Sequence, residues 1–122
     1  MKVMNVGIMS REEYKKRTIA IASGAYRPQE NEPKVWFESI KSLSQVLSNE
    51  NQELLKLIIE WKPQSLSELE KISHRRKSNL SRTLKTLESY GIVSLKKQNG
   101  RIVPTVEATD FKVEFGLNAL AY

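Results

Sequence analysis

Hydrogen-bonding side chains alternate with leucines in the segment that begins at Ser78. Leu80, Leu84 and Leu87 recur at the spacing of one helix face, which predicts a helix over residues 78–90 with these leucines buried. The opposite face would carry Ser78, Asn79, Ser81, Arg82 and Lys85. Asparagine and arginine form paired hydrogen bonds with the edges of adenine and guanine, and each pair contributes about 1–3 kcal/mol of discrimination between bases. The pattern therefore predicts recognition of base edges in duplex DNA.

Basic residues lie on both sides of this segment and concentrate the positive charge of the chain. The chain has 122 residues and a formal net charge of +6. Residues 71–101 hold nine lysines and arginines against one acid, Glu88, so this window carries +8 and the other 91 residues carry −2. Such a concentration indicates a polyanionic partner, although a solvated basic face without a partner would have the same composition.

Several of these residues also have an interpretation without a role in binding. Ser78 and Asn79 are types common at helix caps, and Arg82 would equally suit a solvated helix face with Lys85. Ser78 also lies near a helix start, where free N–H groups and the helix dipole favour a phosphate. The single histidine, His74, is expected to be a turn residue that could touch a phosphate.

The sequence offers no constellation for catalysis, metal binding or cofactor binding. It has no cysteine and one histidine, which excludes disulfides, thiolate nucleophiles and histidine-cluster metal sites. It contains no glycine-rich phosphate loop, G-x-S-x-G or H-E-x-x-H motif. Paired acids at Glu12 and Glu13, and at Glu68 and Glu70, fall in predicted first helical turns, where acids are favoured anyway. We predict that the protein is not an enzyme and has no catalytic residue, metal or cofactor.

The hydrophobic pattern is that of a soluble domain. No apolar run approaches the roughly 18 residues of a membrane-spanning helix, and the N-terminus lacks the segments of a secretory signal. These features predict a cytoplasmic protein with no membrane partner. Trp36, Phe37 and Trp61 are expected in the core and not in a platform for stacking bases.

Residues 1–34 are predicted to form a strand, a helix and a linker. Apolar residues alternate over residues 1–9, which favours a strand. A capping box at Ser10 predicts a helix that ends near Ser23. Residues 24–34 contain two prolines and little to bury, which is typical of a linker. We expect this N-terminal segment to serve dimerisation or to act as an arm that holds a protein partner.

Residues 35–117 are predicted to form the second part of the chain, a DNA-binding domain. Apolar residues at helical spacing indicate helices near residues 40–47 and 54–61. A capping box at Ser65 opens a short third helix, and a polar turn over residues 73–77 separates it from the leucine-backed helix.

Beyond this helix the hydrophobic period changes to two, which indicates strands over residues 92–97 and 101–106. Asn99 and Gly100 between them are a strong signal for a two-residue hairpin turn. That register pairs Val93 with Val106, Leu95 with Pro104 and Lys97 with Ile102. A last, half-buried strand is predicted over residues 111–117, with Phe111, Val113, Phe115 and Leu117 on its apolar face.

The order of these elements predicts an α+β fold that is mainly helical, namely a winged helix-turn-helix with a two-stranded β wing and additional N- and C-terminal strands. In such a fold the leucine-backed helix enters the major groove, and basic residues of the turn and the wing contact the backbone or the minor groove. The predicted DNA-binding residues are Arg75, Arg76, Lys77, Ser78, Asn79, Ser81, Arg82, Lys85, Lys96, Lys97 and Arg101.

Three segments within residues 33–117 carry a family resemblance: PKVWFESIKSLSQVLSNENQELLKLI, SNLSRTLKTLESYGIVSLKK and GRIVPTVEATDFKVEF. They resemble the prokaryotic MarR-like winged-helix proteins, and the second segment is the most specific. The resemblance implies a dimeric DNA-binding regulator, and some members of this group look like antitoxins of toxin–antitoxin operons. It also implies DNA-reading roles for Ser78, Asn79, Ser81, Arg82, Lys85 and Arg101. The group often has a small neutral residue where this chain has Arg75, Arg76 and Lys77.

The main functional hypothesis is a transcriptional repressor that binds a pseudo-palindromic operator in double-stranded DNA as a homodimer. The alternative is an antitoxin that binds a toxin protein, encoded nearby, through its terminal segments and regulates its own operon. RNA binding or nonspecific coating of nucleic acid ranks behind both. Tyr90 is the single aromatic residue within residues 71–101, whereas single-strand and RNA platforms interleave several aromatics with their basic residues.

Overall fold

A computed structural model describes residues 2–117 of the chain as five helices and five strands. The predicted α+β class is therefore confirmed. The elements are β1 (Lys2–Ile8), α1 (Arg11–Ala22), β2 (Val35–Phe37), α2 (Ile40–Val46), α3 (Asn49–Trp61), α4 (Leu66–Ser73), α5 (Lys77–Ser89), β3 (Val93–Gln98), β4 (Arg101–Val106) and β5 (Ala108–Glu114). Met1, part of the predicted first strand, lies outside the described residues.

The chain divides into two units. The helical unit comprises residues 45–109 with Lys2, and it contains α3, α4, α5, β3 and β4. The sheet unit comprises residues 3–44 and 110–117 of the described chain. These units differ from the predicted division between residues 34 and 35. The difference arises because β5 joins the N-terminal segment in one sheet.

The sheet unit is built on a three-stranded sheet in the order β2-β1-β5. Strand β1 runs parallel to β2, with Val6 opposite Val35 and Ile8 opposite Phe37. Val6 and Phe37 are completely buried, and Met4 is almost so. The predicted first strand and the core position of Phe37 are confirmed, whereas β2 was not predicted from the sequence.

Trp36 is held between β1 and α1. A β-carbon at Gly7 would lie 2.3 Å from the Trp36 ring, so glycine is required for this close approach. The guanidinium carbon of Arg17 lies 5.2 Å from the centroid of the Trp36 ring, and Arg17 Nη2 donates a hydrogen bond of 3.2 Å to Glu32. These contacts anchor residues 24–34, so the prediction that this linker buries little is wrong for Glu32 and for the buried Pro33.

The core of the helical unit is formed by one apolar stripe from each of its three helices. Leu80, Leu84 and Leu87 of α5 are completely buried, as predicted. They pack in the same core as Leu69 of α4 and the stripe on α3, which consists of Leu54, Leu55 and Ile58. The prediction that Trp61 lies in the core is wrong, because it is the last residue of α3 and 61% exposed.

Serine side chains cap four of the described helices, and Ser39 caps α2 by accepting a hydrogen bond of 3.0 Å from the Ser42 N–H. Ser10 accepts a hydrogen bond of 3.2 Å from the Glu13 N–H, and Ser65 accepts one of 3.1 Å from the Glu68 N–H, which confirms both predicted helix starts. Ser48 caps α3 in the same way. Helix α4 ends at Ser73, and His74 follows it as C-cap in the left-handed conformation, as expected for a turn residue.

Helix α5 begins one residue earlier than predicted. Its N-cap is Arg76, which makes no side-chain capping bond, and Lys77 is its first residue. Lys77 therefore belongs to the helix and not to the turn. The interpretation of Ser78 as a helix cap is wrong, since Ser78 lies inside the first turn.

The β3–β4 hairpin has the predicted register. Val93 lies opposite Val106, Leu95 opposite Pro104 and Lys97 opposite Ile102. Asn99 and Gly100 both have positive φ values, 52° and 74°, which is the conformation of the favoured two-residue turn. The base of the hairpin is buried, whereas Ile102 near its tip is exposed.

The last strand differs from its prediction over residues 111–117. Strand β5 runs over Ala108–Glu114 and starts at a buried alanine. Phe111 is half-buried as predicted, whereas Val113, Phe115 and Leu117 of the expected face are exposed. In the part of the chain that the structure describes, no helix has the length and apolarity needed to cross a membrane.

Candidate nucleic-acid interface

Helix α5 presents its polar face to solvent. Ser78, Asn79, Arg82 and Lys85 are exposed, and Ser81 is half-buried at the edge of this face. At 3.6 residues per turn, Ser78, Arg82 and Lys85 lie at the centre of the face, opposite the buried leucines. The predicted division of this helix into a buried leucine side and a free polar side is therefore confirmed.

The basic residues of the window 71–101 form no ion pair with an acid of the described chain. The ion pairs within residues 2–117 join Arg11 to Glu38, Lys16 to Glu13, Arg17 to Glu32 and Lys56 to Glu53. None of them involves a cation of residues 71–101, although this window holds nine lysines and arginines. The charge concentration seen in the sequence therefore persists in the folded unit as unpaired positive charge.

Arg75 connects the turn before α5 to the start of α3. Its Nη1 atom donates a hydrogen bond of 3.2 Å to Asn51 Oδ1, and its Nη2 atom donates one to the carbonyl oxygen of Glu50. Asn51 Nδ2 in turn donates a bond of 3.0 Å to the carbonyl of Val46. Arg75, predicted from sequence as a DNA contact, thus has a structural role that its sequence position did not indicate.

A cleft of about 500 Å³ opens along one side of α5. Its lining residues are Glu50, Arg75, Arg76, Ser78, Asn79 and Arg82. All except Glu50 were predicted site residues, so the fold brings this part of the prediction together. Glu50 was missed because the helix predicted near residues 54–61 begins earlier, at Asn49, and so brings Glu50 into its first turn.

A second cleft, of about 440 Å³, lies on the other side, between α4, α5 and the hairpin tip. Its basic residues are Lys71, Lys77 and Arg101. Lys77 Nζ donates a bond of 3.4 Å to Ser67 Oγ, and the Lys77 N–H donates one of 2.9 Å to Glu70 Oε2. Lys71 was counted in the charge window but not predicted as a site residue.

Lys96 and Lys97 lie on the exposed half of β3. Neither lines either cleft. The predicted site residues therefore fall into four groups: the centre of α5, the cleft at α3, the cleft at the hairpin tip, and the outer side of the hairpin. Among the described residues no group of three His, Cys, Asp or Glu side chains is placed to hold a metal ion.

The exposed basic face of α5 thus lies between the cleft at α3 and the cleft at the hairpin tip, in an α+β fold. Residues 46–113 match the model of the HVO_A0114 family. The match covers more than half of the chain, and the chain belongs to this family. The matched range takes in α3, α4, α5, the hairpin and most of β5. No curated protein and no solved structure matches the chain.

Proposed function

We propose that the protein is a sequence-specific DNA-binding transcriptional regulator of the MarR-like kind. In this proposal the helical unit is a winged helix-turn-helix: α4 and α5 form the helix-turn-helix, and the β3–β4 hairpin is the wing. The order of these elements supports it, as does the short turn of three residues between α4 and α5.

One observation carries the proposal: the exposed face of α5 belongs to a window of nine cations that make no ion pair within residues 2–117. Unpaired like charges repel one another, and a polyanion offsets this repulsion and gains affinity by releasing its counterions. The major groove of B-DNA admits one α-helix, which must have one side packed on its domain and the other free. Helix α5 has this arrangement.

The residues take different roles along the duplex. Arg82 and Asn79 contact base edges, because their side chains form the paired hydrogen bonds that distinguish guanine and adenine. Ser78, near the start of α5, donates to a phosphate. Lys96 and Lys97 on the outer side of the hairpin contribute attraction to the backbone that does not depend on sequence.

The regulator acts as a dimer on a pseudo-palindromic operator, as a repressor. The exposed apolar side chains of Val113, Phe115 and Leu117 in the sheet unit support a dimer, because contact with a second copy would remove them from water. Phe115 and Leu117 also line an apolar cleft of about 830 Å³ in this unit, together with Ile8 and Ile40. Two copies related by a two-fold axis would present two α5 helices to successive half-sites.

An antitoxin is the second candidate function. The exposed apolar side chains of α1, Tyr14 and Ile19, favour it because a protein partner would cover them. In this candidate the toxin would bind an N-terminal segment that is already folded, because Arg17 forms a hydrogen bond with Glu32 within that segment. Co-purification with the product of a neighbouring gene distinguishes this candidate from a regulator without a protein ligand.

Fluorescence anisotropy with labelled nucleic acids tests the proposal. The protein should bind a random-sequence DNA duplex, with affinity that falls steeply as salt rises, and bind single-stranded RNA more weakly at every salt concentration. Equal or tighter binding to the RNA would contradict the proposal, and so would an absence of duplex binding at low salt.

A further inference from the structure

We infer that the cleft between α4, α5 and the hairpin tip binds one phosphate group through Lys71, Lys77 and Arg101. The inference rests on the proposed function, in which the DNA backbone supplies this phosphate. The chemistry of the site would be the same for a free phosphate ion, and the experiment below separates the two sources.

The three cations reach this cleft from three different elements. Lys71 comes from the last turns of α4, Lys77 from the first turn of α5 and Arg101 from the first position of β4. All three side chains line the same cleft of about 440 Å³, and all three residues are exposed. None has an ion-pair partner within residues 2–117.

The acids near the cleft are already engaged with backbone groups. Glu68, the single acid among the described residues that line the cleft, accepts a hydrogen bond from the Gln64 N–H through Oε2. Glu70 Oε2 accepts from the Lys77 N–H. The side chain of Lys77 bonds only to the hydroxyl of Ser67 among the described residues. Among the described lining residues three cations face one acid, so the cleft has an excess of positive charge, together with a hydroxyl that can donate to an anion.

This donor set suits a phosphate oxygen cluster. The planar guanidinium of arginine binds two oxygens of a phosphate at once, and lysine ammonium groups add charge without directional constraint. The cleft on the α3 side of α5 differs, because two N–H groups of its Arg75 are used by Asn51 and Glu50. We therefore assign the phosphate to the hairpin side, where Arg101 and Lys71 make no side-chain hydrogen bond among the described residues and Lys77 makes one, to the Ser67 hydroxyl.

The site changes the role assigned to the hairpin tip. From the sequence, Arg101 was expected to contact the backbone or the minor groove as part of the wing. In the cleft it acts together with Lys71 and Lys77, so the three residues neutralise one phosphate and not three.

The salt dependence of duplex binding counts neutralised phosphates and so tests this sharing. Each phosphate contact contributes about 0.9 to the slope of log affinity against log salt concentration. The triple variant Lys71→Gln, Lys77→Gln, Arg101→Gln should therefore lose about 0.9 of this slope. If the three residues contacted three separate phosphates, the slope would fall by about 2.7. A fall of that size, or an unchanged slope, would overturn the shared site.

A matched triple variant controls for net charge. Lys15→Gln, Lys34→Gln and Lys112→Gln also remove three positive charges, but from exposed positions of the sheet unit. This control should keep the wild-type slope. Circular dichroism of both variants checks that they are folded, and a control slope that falls as far as that of the cleft variant would overturn the assignment.

Titration with inorganic phosphate alone separates the site from the proposed function. Backbone amide signals of Ser67, Lys77 and Arg101 should shift in NMR spectra of the wild type and not in those of the cleft variant. These shifts in a protein that binds no duplex would keep the phosphate site and overturn the DNA-binding proposal. If the protein binds duplex DNA but shows no phosphate shifts, and the cleft variant shows no change of slope, the DNA-binding proposal is kept and the phosphate site is overturned.

Discussion

Arg75 donates a hydrogen bond of 3.2 Å to the side-chain oxygen of Asn51, and this bond fastens the turn before α5 to the first turn of α3. A second bond from Arg75 to the carbonyl of Glu50 strengthens the same connection. Asn51 is held in place by its own bond to the carbonyl of Val46. The turn before α5 is therefore held to α3 by hydrogen bonds of a charged side chain, in addition to the packing of the leucine core.

Replacing this arginine should lower the stability of the helical unit. We expect Arg75→Ala to reduce the free energy of unfolding by about 1–2 kcal/mol, because it removes two hydrogen bonds from a charged donor at a half-buried site. Urea denaturation measures the change. Arg76→Ala is the matched control, since Arg76 is exposed and makes no side-chain cap bond, and its effect should stay within about 0.5 kcal/mol. Equal losses in the two variants would contradict the structural role of Arg75.

Arg82 should determine sequence preference. It lies at the centre of the exposed face of α5. Arg82→Ala should cost about 1–3 kcal/mol of binding free energy on the selected operator and much less on random duplex, because a paired bond to a base edge is lost. Competition binding with the two duplexes measures the difference. A uniform loss on both would show that Arg82 contacts only the backbone.

Arg101 should act on all sequences alike. Arg101→Ala is expected to weaken the operator and random duplexes by the same factor and to lower the salt slope by at most about one ion, since its partner is a phosphate. Anisotropy titrations across a range of salt concentrations provide both quantities. If Arg101→Ala and Arg82→Ala behaved identically on the two duplexes, the division of roles between hairpin and helix would be wrong.

The parts of the fold that the sequence predicted correctly are set by local rules. The hairpin register depends on two turn residues, Asn99 and Gly100, whose positive φ values fix which residues face each other. The starts of α1 and α4 depend on a serine and the amide three residues later. Such signals lie within four residues of one another and need no knowledge of tertiary structure.

The parts that were missed depend on contacts between distant segments. Strand β2 has three residues, too few to show a period, and it exists because β1 lies beside it. The bond between Arg75 and Asn51 spans 24 positions, and nothing in either neighbourhood indicates it. Trp61 is apolar and has helical spacing, yet the end of α3 leaves it uncovered. For the site, the sequence supplied the basic face but not Lys71 or Glu50, which join it through the packing of α3 and α4.

Gly7 should tolerate no side chain. Gly7→Ala places a β-carbon where the Trp36 ring lies, at 2.3 Å, so the indole must move away from Arg17. We expect a loss of about 1–3 kcal/mol in the free energy of unfolding, together with a change in the fluorescence of Trp36 in a Trp61→Phe background. Gly116→Ala is the control, because no atom lies within 4 Å of its added β-carbon. A neutral Gly7→Ala would contradict the packing described for Trp36.

The exposed end of the sheet unit should form the dimer interface. The mass in solution should be twice the chain mass of 14.0 kDa, and Phe115→Ser should shift it towards that of the single chain, because it removes apolar surface from the contact. Light scattering over a range of concentrations measures this. Ile19→Ser on α1 changes an equally exposed apolar residue of the same unit and should leave the mass unchanged. A wild type that stays monomeric at micromolar concentration would remove the prediction of a palindromic operator.

Sequence-specific binding to duplex DNA is tested by selecting binding sites from a pool of random duplexes with the purified protein. We expect an enriched sequence with two inverted half-sites centred about 10–10.5 base pairs apart, or a multiple of that spacing, matching two α5 helices in successive major grooves. The same selection with Arg82→Ala should lose preference at one position in each half-site. Recovery of duplexes with no enriched sequence, or no recovery above that of protein-free controls, would contradict the assignment as a sequence-specific regulator.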